Sequence, residues 1–152
     1  MDVNRKKAMV LVIDDEPEVL GNVATVLNGA GYACHCCSTA ESAIHSARRS
    51  SPDLIISDIN LGGASGLELC EQIKEDPTLK DVPVMFLSGA QIPDIIRRSH
   101  AAGGAYYLRK PFDPEVLVEL ADKALWMPHL VRNHVASHPR PSAIARQSLA
   151  SQ

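Results

Sequence analysis

Five short apolar runs divide the chain, and between them apolar residues recur at three- and four-residue intervals. The first run, AMVLVI at 8–13, predicts a strand. Pro17 follows, where a first helical turn has no use for the missing N–H. Val19, Leu20, Val23, Val26 and Leu27 then repeat at helical spacing, and Gly29 and Gly31 supply the stop. The second strand is expected at 32–37. Ser38-Thr39-Ala40-Glu41 fits a capping box for a helix with a small-residue face of Ala40, Ala43, Ile44 and Ala47, which Ser51-Pro52 breaks. The third strand, DLIIS at 53–57, ends at Asp58. The loop NLGGASG leads to a helix with Leu67, Cys70 and Ile73 on one face, ended by Asp76-Pro77. A fourth strand at 83–87 precedes Ser88-Gly89. A shorter helix over 93–102 ends at Gly103-Gly104, and a fifth strand covers 105–108. Asp113-Pro114-Glu115 then starts a helix as N-cap with proline at its first position, with Leu117, Leu120, Ala121 and Ala124 as its apolar face.

Strands alternating with helices predict right-handed βαβ units, hence an α/β fold with one parallel sheet covered on both faces. Strands 1, 3 and 4 are continuous apolar runs, as central strands buried on both sides should be. In such open sheets ligands bind beyond the carboxyl ends of the strands. Asp14 and Asp15 follow strand 1, Asp58 strand 3, Ser88 strand 4 and Lys110 strand 5. Three carboxylates converging there would repel one another, which implies a hard divalent cation; magnesium suits a few carboxylate oxygens plus water. The lysine and the hydroxyl beside them suit a bound phosphoryl group. Glu16 reads as a solvated flank at the start of the first helix, where its charge suits the helix dipole.

Composition narrows the function. The 152 residues are 45% hydrophobic but only 4% aromatic, so the core must be mainly aliphatic. A net charge of −3 argues against a general nucleic-acid binder. Residues 127–152 hold three of the fifteen basic residues and none of the eighteen acids, leaving a body with twelve basic against eighteen acidic residues. This break, with three prolines and little apolar periodicity beyond it, predicts a body at 1–126 and a flexible tail at 127–152 with no effector domain. No stretch is long and apolar enough for a membrane span, and the N-terminus lacks a signal-peptide core, so a cytoplasmic location is expected. The run CHCC at 34–37 invites a metal, but in a strand Cys34 and Cys36 point opposite to His35 and Cys37; buried free thiols are the expectation.

VLVIDDEP, LIISDINLGGASGLEL, VPVMFLSGA and GAYYLRKPF together resemble the receiver domain of two-component response regulators across about residues 8–125. The resemblance implies a flavodoxin-like (βα)5 doubly wound parallel sheet of strand order 2-1-3-4-5. It implies a phosphoacceptor that catalyses its own phosphotransfer and slow self-dephosphorylation, not an enzyme acting on external substrates. Asp58 would take a phosphoryl group from a sensor histidine kinase or a histidine phosphotransfer protein. Asp14, Asp15, Asp58 and the Asn60 carbonyl would hold Mg2+, and Ser88 and Lys110 would bind phosphoryl oxygens. Ser88 and Tyr107 would form the switch that alters the face of the fourth helix, fifth strand and fifth helix. Through that face the chain would contact a downstream protein or a second copy. The Lys110–Pro111 bond is expected to be cis, as in relatives.

The chain departs from relatives at two places. Gly62, followed by Gly63, stands where they usually carry proline four residues after the acceptor, which predicts a more flexible loop. Ala90 stands where they often carry a polar side chain able to orient water, which predicts slow self-dephosphorylation. Two rival readings remain: a structural interaction module independent of phosphorylation, and an aspartate-nucleophile phosphatase. The second lacks its general acid, because Asn60 stands where haloacid-dehalogenase-type phosphatases place a second aspartate.

Overall fold

A computed structural model describes residues 8–89 and 106–126. The helix expected over 93–102, its Gly103-Gly104 stop, Ala90 and the tail at 127–152 lie outside the described residues. The elements are β1 (Met9–Ile13), α1 (Pro17–Gly29), β2 (Ala33–Cys37), α2 (Ala40–Ser50), β3 (Leu54–Asp58), α3 (Gly66–Ile73), β4 (Val84–Ser88), β5 (Tyr106–Arg109) and α4 (Pro114–Trp126). The last corresponds to the fifth helix of the sequence pattern. The sheet runs β2-β1-β3-β4-β5 with every neighbouring pair parallel, the order expected.

Alternation along the central strands builds two cores. Leu11, Ile13, Ile55 and Phe86 pack with Ala43 and Ala47 of α2 and Leu67, Cys70 and Ile73 of α3. Val10, Val12, Ile56, Met85 and Leu87 pack on the other side with Val23 and Leu27 of α1 and Leu117 and Ala121 of α4. The four apolar residues Val10–Ile13 of β1 are all fully buried, which is why that run shows no polar alternation. Each such side chain contributes roughly 1.5–3 kcal/mol by burial. Away from the strand ends, the Tyr32 hydroxyl donates to Asp122 and accepts from Trp126 Nε1 at 2.8 Å, tying the C-terminal half of α4 to the connection between α1 and β2.

Several local signals land differently from the sequence pattern. The N-cap of α2 is Thr39, whose Oγ1 accepts from Ser42 N at 3.1 Å; the Ser42 hydroxyl reaches back to the Thr39 carbonyl at 3.1 Å. The expected Ser38–Glu41 pair is thus displaced by one residue, because Ser42 offers both groups that the cap needs. β2 is an edge strand, and its cysteines are not uniformly buried: Cys37 is buried, Cys34 partly so, and Cys36 exposed. Their facing is as expected, since His35 and Cys37 both reach Ser46 Oγ while Cys36 faces Leu20.

The glycine loop forms a short hairpin. Asn60–Leu61 pairs antiparallel with Ala64–Ser65, leaving Gly62 and Gly63 as a two-residue turn with φ of +61° and +102°. Positive φ at both positions is the turn that such hairpins favour, and glycine reaches it without a Cβ penalty. Proline, fixed near −65°, cannot stand at position 62 in this conformation.

Gly21 sits exposed inside α1 with open space around it. Gly21→Ala should therefore stabilise the protein by about 0.5–1 kcal/mol through helix propensity, read as a higher urea midpoint.

Candidate acidic phosphoacceptor site

The sheet delivers its polar residues to one edge. Asp14 follows β1 directly, fixed where its N–H donates to the Cys37 carbonyl at 3.1 Å. Its Oδ1 accepts from Glu16 N at 2.9 Å, which orients the carboxylate. Asp58 closes β3, and its Oδ1 accepts from Asn60 N at 3.2 Å. Lys110 follows β5, its N–H donating to the Ser88 carbonyl at 2.8 Å, so the end of β4 sets its position. The Lys110–Pro111 bond is cis, as expected.

The Lys110 ammonium reaches both buried acids, at 2.9 Å from Asp14 Oδ2 and 3.0 Å from Asp58 Oδ2. Asp14 is fully buried and Asp58 is 6% exposed. Burial pushes the Asp14 carboxyl above its ordinary range, and the nearby Asp58 charge adds to this; Lys110 and the Glu16 amide oppose them without prevailing. For Lys110, burial works against the charged form. Its hydrogen bonds to Asp14 and Asp58 overcome that and hold the ammonium above its usual value. The site is therefore electrostatically underbalanced, with three carboxylates facing one ammonium.

Asp14, Asp15 and Asp58 each offer an oxygen within 4.8 Å of the others. Asp14 Oδ2 is buried, and among the described residues the Lys110 ammonium at 2.9 Å is what faces it. Hard oxygen donors that lie close together and residual negative charge fit a small divalent cation such as Mg2+. Asp15 and Glu16 are both exposed, and Glu16 provides no side-chain cap to α1, which agrees with a solvated flank.

Ser88 is half-buried at the end of β4. Tyr107 is half-buried in β5, in register with Phe86 and packed on the same core. A cleft of about 510 Å³ opens beside the acids between α1 and Lys110–Pro114, with Glu16, Val19, Asn22, Lys110 and Phe112 among its walls. The structure thus brings together Asp14, Asp15, Asp58 and Lys110, with Ser88 and Asn60 adjoining through the backbone.

Sequence reasoning missed Gly66. A Cβ there would lie 1.9 Å from the Asp58 carbonyl oxygen, so α3 can begin directly beneath Asp58 only as glycine. Gly66 N also donates to the Ile59 carbonyl at 2.7 Å. The available signal was a glycine at the helix start, with Ser65 before it; Ser65 Oγ caps α3 by accepting from Glu68 N at 3.2 Å.

The chain is 33% identical over 109 residues to the phosphate regulon transcriptional regulatory protein PhoB of Pseudomonas aeruginosa, covering 72% of this chain and 48% of that protein. It is 33% identical over 118 residues to the nitrogen assimilation regulatory protein NtrX of Azorhizobium caulinodans, covering 76% of this chain and 26% of that protein. The chain therefore spans about half or less of these curated relatives. The structure of chemotaxis protein CheY4 of Vibrio cholerae superposes with a TM-score of 0.75 at 29% identity, covering 78% of this chain and 98% of that one. Among the described residues no helix is long and apolar enough to cross a membrane. Residues 10–122 match the family described as the response regulator receiver domain. With the sheet order and the acidic edge in agreement, the chain belongs to that family, whose members act in phosphorylation-dependent signalling.

Proposed function

We propose that Asp58 is the phosphoacceptor of a signalling receiver that works in the cytoplasm with a sensor histidine kinase or a histidine phosphotransfer protein. An Asp58 carboxylate oxygen attacks the phosphorus of a phosphohistidine. The P–O bond forms as the P–N bond breaks, and the imidazole leaves with the electron pair and takes a proton. Lys110 exchanges its contact with Asp58 for one with a phosphoryl oxygen, and the Ser88 hydroxyl donates to another. Asp14, Asp15, Asp58 and the Asn60 carbonyl would hold Mg2+, which when bound neutralises charge on the phosphoryl oxygens. The cleft lined by Lys110, whose ammonium touches Asp58, offers the donor protein a surface.

Ser88 and Tyr107 form the proposed switch. Recruiting the Ser88 hydroxyl to the phosphoryl group biases Tyr107, and with it the face that carries β5 and α4. Output is then contact with a downstream protein, or with a second copy, through that face.

The observation that carries this reading is Lys110 held between two buried carboxylates at the ends of β1 and β3. Acetyl phosphate with magnesium tests it by intact-mass spectrometry. The wild type should gain one phosphoryl group and Asp58→Asn none. A wild type that stays unmodified would support the phosphorylation-independent interaction module instead.

A further inference from the structure

One wall of the acidic pocket owes its place to an absent side chain. Among the described residues no hydrogen bond or ion pair fixes the Asp15 carboxylate, whereas Asp14 and Asp58 are each held by a backbone amide and by Lys110. What lies against Asp15 is the tip of the hairpin. A Cβ at position 62 would sit 2.9 Å from Asp15 Oδ2 and 3.7 Å from its Cγ. A Cβ at position 63, the other half of the same turn, would meet nothing within 4 Å.

We propose that Gly62 is a positioning residue for the divalent cation: the bare backbone at the hairpin tip packs against the Asp15 carboxylate and sets where its oxygen stands beside Asp14 and Asp58. The inference rests on reading those three acids as the cation site. Asp15 is exposed and free to rotate into water, so a side chain at 62 displaces it at little cost in stability. The loss falls on the ligand geometry. The same hairpin carries Asn60, paired with Ser65, so it links two of the groups proposed to face the ion and anchors both to the cap of α3.

The two glycines give a matched pair of variants. Both have positive φ, so Gly62→Ala and Gly63→Ala carry backbone strain of the same kind, but only the first adds the contact with Asp15. Magnesium is titrated calorimetrically into the full chain, and each variant is melted without magnesium. Both alanine variants should melt below the wild type. Gly62→Ala should weaken magnesium affinity about tenfold, the scale on which groups behind metal ligands act, while Gly63→Ala stays within about twofold of wild type. Should Gly62→Ala not fold, Gly62→Asn brings the same Cβ on a residue that tolerates left-handed backbone. Unchanged affinity in the position-62 variant, or an equal loss in Gly63→Ala, overturns the role of Gly62. A wild type that takes up no magnesium overturns the cation reading itself, and the proposal with it.

Discussion

Gly66→Ala should lower the unfolding free energy by about 3 kcal/mol, at the upper end of what overpacking costs. Two effects oppose each other at this position. Alanine in the first turn of α3 gains up to about 1 kcal/mol in helix propensity. Against that, its Cβ would stand 1.9 Å from the Asp58 carbonyl oxygen and 3.0 Å from both the Asp58 carbonyl carbon and Ser57 Oγ. Those atoms cannot step aside. The Asp58 carbonyl belongs to the last residue of a strand paired on both sides, and it accepts the Ser57 hydroxyl at 2.9 Å. The helix must therefore move away from the sheet, or the end of β3 must bend, and either shifts Asp58. Urea denaturation followed by Trp126, the single tryptophan, measures the loss. Acetyl phosphate labelling of the folded fraction should also slow. A stability within about 0.5 kcal/mol of wild type would show that α3 can retreat freely, and the close packing would then have no hold on Asp58.

Three glycines thus carry three different consequences. At Gly21 the space is open, so alanine helps. At Gly62 the neighbour is the end of an exposed carboxylate, so the change falls on Asp15 more than on the fold. At Gly66 the neighbour is backbone, so it falls on the fold. Nothing in the letters G, G and G separates these cases, because the distinction lies in the third dimension.

The architecture was far more legible. Continuous apolar runs at β1, β3 and β4 marked them as the central strands, and they are. Short continuous apolar runs and stretches of period 3.6 alternate cleanly enough to point to a parallel sheet, and the rule of ligands at carboxyl ends then picks out Asp14, Asp58 and Lys110. Their convergence could be read because each follows its strand immediately, so the register of the sheet does the positioning. What escaped was local. The cap of α2 slid by one residue because Thr39 and Ser42 have the same chemistry as the expected pair. The turn geometry of the glycine loop was not read: two consecutive glycines between short pairing segments make a tight hairpin turn.

Removing the lysine and removing one acid should move stability in opposite directions. Lys110→Ala leaves Asp14, with no exposed surface, and Asp58 facing each other without their shared ammonium. Breaking a buried pair by deleting one partner costs 3–5 kcal/mol, and the lower figure of about 3 suits a site at the sheet edge. For a domain of this size that is a drop of roughly 10 °C in melting temperature in magnesium-free buffer at neutral pH. Asp14→Asn should instead raise the melting temperature. The Asp14 carboxyl is held above its ordinary range mainly by burial, so its environment disfavours the charged form despite the ammonium beside it. The amide keeps the size and an oxygen for the Glu16 N–H, and Lys110 keeps Asp58. Magnesium should then reverse the ranking of the gains. A ligand stabilises in proportion to how strongly it binds the folded state, so the increment grows where charge is left unbalanced and shrinks where it has been removed. Lys110→Ala should gain more from the ion than the wild type does, and Asp14→Asn less. Melting the three proteins with and without magnesium gives six temperatures. Destabilisation by Asp14→Asn in magnesium-free buffer would mean that the carboxylate is well satisfied by Lys110 alone, and the electrostatic case for a divalent cation at this edge would lose its main support.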